Sequence, residues 1–463
     1  MLACSSDDGG AGTNPTALTW RACDGRAQCA SVSVPVDWSK PAGSTMSIAI
    51  ERLPARDSKT RMGVLLIHPG GSPGPGTALF LPEVVPLVED LTQWYDVVSF
   101  DPRGAGLGGQ SSPLVCDASK SPDYHRAFRS KSEYDEYANT QRAYAATCRS
   151  DAGDLLPNMS SVDIARDTDA IRAALGEEKI TYFGNSYGTI LAQAYAELYP
   201  TRLRAMVLDS VCDHTATFEE TALRQARVLE DQLKAWGDRC KDDASCPLHD
   251  EDALAAWDRL VAKAEASPIA LVSGKVATAD DIRTNTWMLV QAGQYRELAA
   301  LVVALRKGEG DVELPDAIRH NRDDRATWCL DMPVEPADYD GLEAMTKRVR
   351  QQSPRIGWFF ASQMITTCAG WPAATNPPHP LRAATAMPPT LLVQARGDHF
   401  CNYAGAENLQ RQIPGSVLLA YAGADHALYL QGKVCVREHV HAFLKDGTLP
   451  APATECPVEA AVK

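Results

Sequence analysis

The chain has 463 residues, 45% hydrophobic and 22% charged, with a formal net charge of −14. That length and balance suit a globular protein with a large core, and the acidity speaks against nucleic acid as a partner. No run approaches the roughly 18–20 apolar residues of a membrane span; the longest, such as 64–67 and 299–305, fit strands or buried helices.

Thirteen cysteines point to an oxidising compartment outside the cytoplasm. The odd number leaves at least one without an intramolecular partner. Cys4, in Leu2-Ala3-Cys4-Ser5-Ser6, is the candidate. This resembles the end of a bacterial lipoprotein signal, so the expectation is membrane attachment through a lipidated Cys4. Residues 1–14, polar and Gly-rich, read as a tether.

In chain order, early strands are expected at 32–36 and 46–53. Continuous apolar runs follow at 63–67, 96–100, 179–183 and 203–208. Buried parallel strands read this way, without polar alternation. A helix capped by Ser160 or Ser161 carries Ile164, Thr168, Ile171 and Leu175 on one face and ends at Gly176. Another runs from about Thr189 to Leu198. Strand, helix, strand with short links predicts a mostly parallel α/β sheet. From 213 to 389 the pattern turns helical, with one helix expected at 339–349. Strands resume at 390–395 and 416–421, and a helix follows at 434–444. The domains therefore read as a tether (1–14), a first core part (15–212), a helical cap insertion (213–389) and a second core part (390–463). The cap would sit over the C-terminal strand ends, where open α/β sheets bind ligands.

Gly184-Asn185-Ser186-Tyr187-Gly188 fits a nucleophile elbow. The serine must project from a sharp strand-to-helix turn, and flanking glycines avoid collisions with nearby backbone. Serine then needs a base, and the base an orienting carboxylate, in the chain order Ser, Asp, His. Asp398 and His426 follow successive later strands, so both can converge on Ser186. Asp209, Asp425 and, more weakly, Asp213 rival Asp398; His399 reads as a loop residue. The oxyanion hole needs two backbone N–H donors. Tyr187 supplies one. Gly71, or second Gly70, in the His68-Pro69-Gly70-Gly71 loop supplies the other. His68 is expected to support that loop without transferring protons.

The Pro-Gly-Gly loop, the Asp101-Pro102-Arg103-Gly104 turn, the Gly-Asn-Ser-Tyr-Gly-Thr elbow and the Asp-Gly-Thr-Leu-Pro-Ala-Pro segment near the C-terminus together resemble secreted tripeptidyl aminopeptidases, close relatives of prolyl aminopeptidases. The resemblance covers about Trp20 to Pro457. It implies an α/β-hydrolase fold, with a large helical cap inserted before the strand leading to the catalytic acid. It implies cleavage of peptides near a free N-terminus and no metal or other cofactor. It makes Ser186, Asp398 and His426 the triad, and Arg103 a structural tie between loops. The sequence departs from the family after the acid, at His399-Phe400-Cys401-Asn402, and in the oxyanion loop at Ser72-Pro73-Gly74-Pro75. Both departures lie beside the scissile bond, so a carboxylesterase or lactone hydrolase is the alternative.

Twelve cysteines besides Cys4 make up to six bridges. Near neighbours suggest 23–29, 240–246 and 435–456, then 116–148 and 329–368. Cys212 and Cys401 remain, after strands expected to be adjacent; the alternative is a free buried thiol. Cys-x2-Cys pairs are absent, which speaks against structural zinc. For a substrate ammonium the insertion offers Glu219, Glu220, Asp331 and Glu335, with no spacing that selects one.

Overall fold

A computed structural model describes residues 18–23, 25–71, 74–105, 111–121, 128, 130–311, 325–333, 338–382 and 387–459. The tether, Cys4, Ser72, Pro73 and Glu335 lie outside the described residues.

The core is one ten-stranded sheet. Its strands are β1 (Arg21–Ala22), β2 (Gln28–Pro35), β3 (Thr45–Leu53), β4 (Val64–His68), β5 (Asp96–Phe100), β6 (Ile180–Asn185), β7 (Leu203–Asp209), β10 (Thr390–Ala395), β11 (Val417–Tyr421) and β12 (Glu455–Cys456). The order is β1-β2-β3-β5-β4-β6-β7-β10-β11-β12. β1, β2 and β3 pair antiparallel, as do β3 and β5, and every pairing beyond β5 is parallel.

The apolar runs are continuous because both sheet faces are covered. Leu66, Tyr182, Met206 and Leu392 face one core, packed with Ile164, Ile171, Ile190 and Leu409. Leu65, Phe183, Val207 and Val393 face the other, packed with Val436, Val440 and Phe443. The covering helices are α1 (Lys131–Ala145), α2 (Ser161–Ala174), α3 (Gly188–Leu198), α11 (Tyr403–Gln412) and α12 (Val434–Asp446). α2 starts as expected. Ser160 donates through N and Oγ to Asp163, and Gly176 takes the left-handed conformation just past its end.

Between β7 and β10 lie α4 (Phe218–Asp242), α5 (Ala253–Ala266), α6 (Ala279–Gln291), α7 (Tyr295–Lys307), α8 (Arg325–Asp331), α9 (Tyr339–Gln352) and α10 (Gly357–Thr367). α4 is the spine of this segment. Thr217 and Glu220 cap it reciprocally. Its buried residues Ala222, Ala226, Leu229, Leu233, Trp236 and Cys240 recur at helical spacing. One end packs with α9 and α10, the other with α5 to α7. The segment also holds a small antiparallel pair, β8 (Ile269–Ala270) with β9 (Val276–Ala277), which its helical character did not announce.

Six disulfides join Cys23–Cys29, Cys116–Cys148, Cys212–Cys401, Cys240–Cys246, Cys329–Cys368 and Cys435–Cys456, the expected pairing throughout. They indicate an oxidising, extracytoplasmic environment. Among the described residues no helix is long and apolar enough to cross a membrane.

Candidate active site

Parallel register brings the ends of five strands level. His68 lies opposite Gly184, Asn185 opposite Asp209, Asp209 opposite Val393, and Ala395 opposite Tyr421. Ser186 therefore leaves β6 on the same edge from which Asp398 leaves β10 and His426 leaves β11.

Ser186 has φ 53, a left-handed conformation rare for a side-chain-bearing residue. Its amide donates to Asp209 O at 2.9 Å, and α3 begins two residues later. The flanking glycines are sterically required. A Cβ on Gly184 would meet Gly188 O at 2.4 Å, and one on Gly188 would meet His68 O at 2.7 Å.

Asp398 is fully buried. Its Oδ2 accepts from His426 Nδ1 at 2.8 Å and from Gln394 Nε2 at 3.0 Å. Its Oδ1 accepts from the amides of Phe400 and Cys401 at 2.9 and 3.1 Å. Four hydrogen bonds thus orient the carboxylate. Burial pushes the His426 imidazole toward the neutral form. The charge and hydrogen bond of Asp398, with a smaller contribution from Asp209, outweigh burial and raise its pKa. No hydrogen bond joins Ser186 Oγ to His426 among the described residues; such contacts commonly tighten only around substrate.

The rival acids have other partners. Asp209 accepts from the Tyr429 and Leu428 amides, and burial pushes its carboxyl up to about 6. Asp425 pairs with Lys433 at 2.9 Å. Asp213 accepts from Thr215 and Asn408 and pairs with Arg224. His399 is buried, has Gln291 Nε2 at 2.7 Å from its Nε2, and is pushed down to about 4 by burial. His68 is likewise a loop support. Burial holds it at about 3, and its Nδ1 accepts from the Gly70 amide at 3.2 Å.

That bond separates the two oxyanion candidates. The Gly70 amide is used, whereas the amides of Gly71 and Tyr187 have no partner among the described residues. Gly71, Ser186 and Tyr187 line one cavity of about 290 Å³. Helices α3, α4, α8 and α10 and the loop after Asp398 supply its other walls. Phe400 is in that wall, and its ring lies 5.0 Å from the His426 ring.

The family model for the alpha/beta hydrolase fold matches residues 63–433. The chain belongs to the α/β-hydrolase family. It is 32% identical to "Serine protease Hip1" of Mycobacterium tuberculosis, over 93% of this chain and 88% of that one. It is 30% identical to "Tripeptidyl aminopeptidase" of Streptomyces lividans, over 93% and 83%. It is also 31% identical to "Carboxylesterase B" of M. tuberculosis, over 98% and 94%. The chain is an enzyme, and the kinship with tripeptidyl aminopeptidases expected from its motifs stands.

Within this α/β-hydrolase, the structure corrects one expectation and adds several residues. Asp331 is no accessible ammonium anchor. It is fully buried, and it accepts from the Tyr187 hydroxyl, from Ser161 N and Oγ, and from Asn376. Glu219 pairs with Arg348, and Glu220 is spent on capping α4. The sequence reading missed Gln394, which supports Asp398. It also missed Ser210, whose Oγ accepts from the Ala427 amide at 2.7 Å directly after His426. Arg103 is the structural tie expected of it. Fully buried, it donates to both oxygens of Asp167 and to the carbonyls of Pro35, Val36 and Asn158.

Proposed function

We propose that this enzyme is a serine peptidase cleaving peptides near a free N-terminus, with Ser186, His426 and Asp398 as its triad. The observation that carries the reading is the Asp398–His426 hydrogen bond on the strand-end edge that also carries the strained Ser186. Identity over 93% of the chain to a serine protease and a tripeptidyl aminopeptidase supports the peptide substrate.

Ser186 Oγ attacks the scissile carbonyl carbon while His426 Nε2 takes its proton. The Gly71 and Tyr187 amides receive the oxyanion. Collapse breaks the C–N bond, and His426 returns the proton to the leaving amine. Water then attacks the acyl-enzyme, gives its proton to His426, and Ser186 leaves protonated. Asp398 keeps Nδ1 protonated and stabilises the imidazolium. The chemistry needs no cofactor. Residues 213–389 act as the cap that limits access, between core parts 15–212 and 390–463. The enzyme works outside the cytoplasm, held to the membrane surface through lipidated Cys4 on the 1–14 tether.

One observation favours the carboxylesterase reading. Among the described residues Asp213 is the sole acidic one lining the cavity, and its carboxylate is already bonded. Peptide amides with free and acetylated N-termini, compared with aryl esters and a Ser186→Ala blank, separate the two. Cleavage confined to free-amine peptides supports the proposal. Ester turnover indifferent to a free amine overturns it.

A further inference from the structure

The cavity beside Ser186 has a chemistry that neither kinship nor the triad specifies. Six of its wall residues are large and apolar: Ile190 on α3, Trp328 on α8, Met332, Phe360 and Met364 on α10, and Phe400 after the acid. Its cationic wall residue, Arg325, is buried, donates to Gln141 and Ser121, and lies over the Tyr144 and Trp371 rings. Its acidic wall residue, Asp213, is paired with Arg224. Gln225 donates to the Phe400 carbonyl, and its Oε1 is buried without a hydrogen-bond partner among the described residues.

From this wall we infer that the cavity binds a bulky apolar side chain on the acyl side of the scissile bond. This deepens the peptidase reading and rests on it for the substrate's peptide nature. Three observations carry it. First, Ser186 and both proposed oxyanion donors line the cavity whereas His426, which hands the proton to the leaving amine, is not among its lining residues, and this favours placing in it the side chain of the residue whose carbonyl is attacked. Second, apolar surface buried there gains by leaving water, while a charged group loses its hydration and meets charged wall residues that are already paired. Third, the two methionines are flexible and polarisable, so the wall adapts to leucine, methionine or phenylalanine shapes.

The test varies that one residue as Ala, Leu, Met, Phe, Glu and Lys in a free-amine peptide amide series, and in the matching aryl esters. The proposal expects kcat/KM to rise on the order of 10–100-fold from Ala to Leu, Met or Phe, with Glu and Lys no better than Ala. Met364→Phe, which narrows the cavity, should shift the preference toward Ala. Met364→Ala, which widens it, should shift the preference toward Phe. Labelling of Ser186 by a small phosphonate reports that each variant is folded. A flat profile, or a preference for Glu or Lys, overturns the proposal. Peptides cleaved without side-chain order would leave the peptidase reading standing and remove this one. Esters ranked in the expected order with peptides uncleaved would do the reverse.

Discussion

The hydroxyl of Tyr187 donates to the buried carboxylate of Asp331, 144 positions along the chain. Tyr187 follows Ser186, the proposed nucleophile, and its amide is one of the two proposed oxyanion donors. Asp331 ends α8, in the segment between β7 and β10, and also binds the start of α2 through Ser161. The bond thus ties that segment to the Tyr187 backbone proposed to meet the transition state. Tyr187→Phe removes one hydrogen bond and keeps the ring. It should lower kcat by about 10-fold, the equivalent of roughly 1.4 kcal/mol, with KM nearly unchanged. Steady-state kinetics on a peptide amide checks this; a rise in KM alone would mean that Tyr187 serves substrate binding.

As the proposed base, His426 must be neutral, so activity is expected to fall as pH drops through its raised pKa. His399 and His68 are held at about 4 and about 3, below the range of a raised imidazole, and Asp209, pushed up to about 6 by burial, is the neighbouring group whose titration overlaps the acid limb of the kcat/KM profile. Asp398→Asn removes the two larger influences that raise the His426 pKa and leaves burial, which lowers it, opposed by the smaller contribution of Asp209. The limb should therefore move to lower pH, while the plateau drops by about 10³–10⁴. A pH–rate profile of both proteins reads the two effects separately.

How far the sequence reached follows from the range of the contacts involved. The strands of the parallel core were legible because burial on both faces leaves a continuous apolar run, and Ser186, Asp398 and His426 stand just past three of them. Two-residue β1 and β12 have no such run; register and the Cys435–Cys456 bridge hold the latter. α1 was hidden because a glutamine, Gln141, sits in its buried stripe beside Tyr134, Ala138 and Tyr144. The choice between Gly70 and Gly71 turned on which amide His68 occupies. The Tyr187–Asp331 bond spans two segments whose docking no local pattern encodes.

Gly70 packs against Ser186. A Cβ there would lie 2.7 Å from Ser186 Cβ and 2.7 Å from Asn185 O, at a φ of +98°. Gly70→Ala must displace Ser186 or the oxyanion loop. A loss of at least about 100-fold in kcat is expected, comparable with removing an oxyanion donor. Phosphonate labelling of Ser186 should slow in parallel. Undiminished labelling would place the damage elsewhere.

Arg103 and Asp167 form a fully buried pair. Arg103→Ala leaves Asp167 uncompensated and frees three backbone carbonyls, at a cost of about 3–5 kcal/mol. Arg103→Met restores volume but leaves the carboxylate charge, so it should be only slightly milder. The double change Arg103→Met with Asp167→Leu should recover much of the loss. Urea unfolding of the three variants measures this; additive losses in the double variant would show that the pair is not the unit.

Cys212 and Cys401 close a separation of 189 residues and both line the cavity. Cys401 also donates its amide to Asp398 Oδ1, so the bridge fastens the Asp398 loop to the end of the sheet where the 213–389 segment departs. Replacing both cysteines by serine releases that restraint. Stability should fall by about 2–5 kcal/mol, and kcat should fall with it because Asp398 loses a fixed donor. Cys240–Cys246 supplies the control. It closes only six positions within the helical segment, so the matching double serine variant should lose less stability and leave kcat unchanged. Thermal unfolding and kcat measured on both variants decide the matter. Equal kcat in the two would mean that the Asp398 loop is held by Gln394 and the neighbouring amides without help from the bridge.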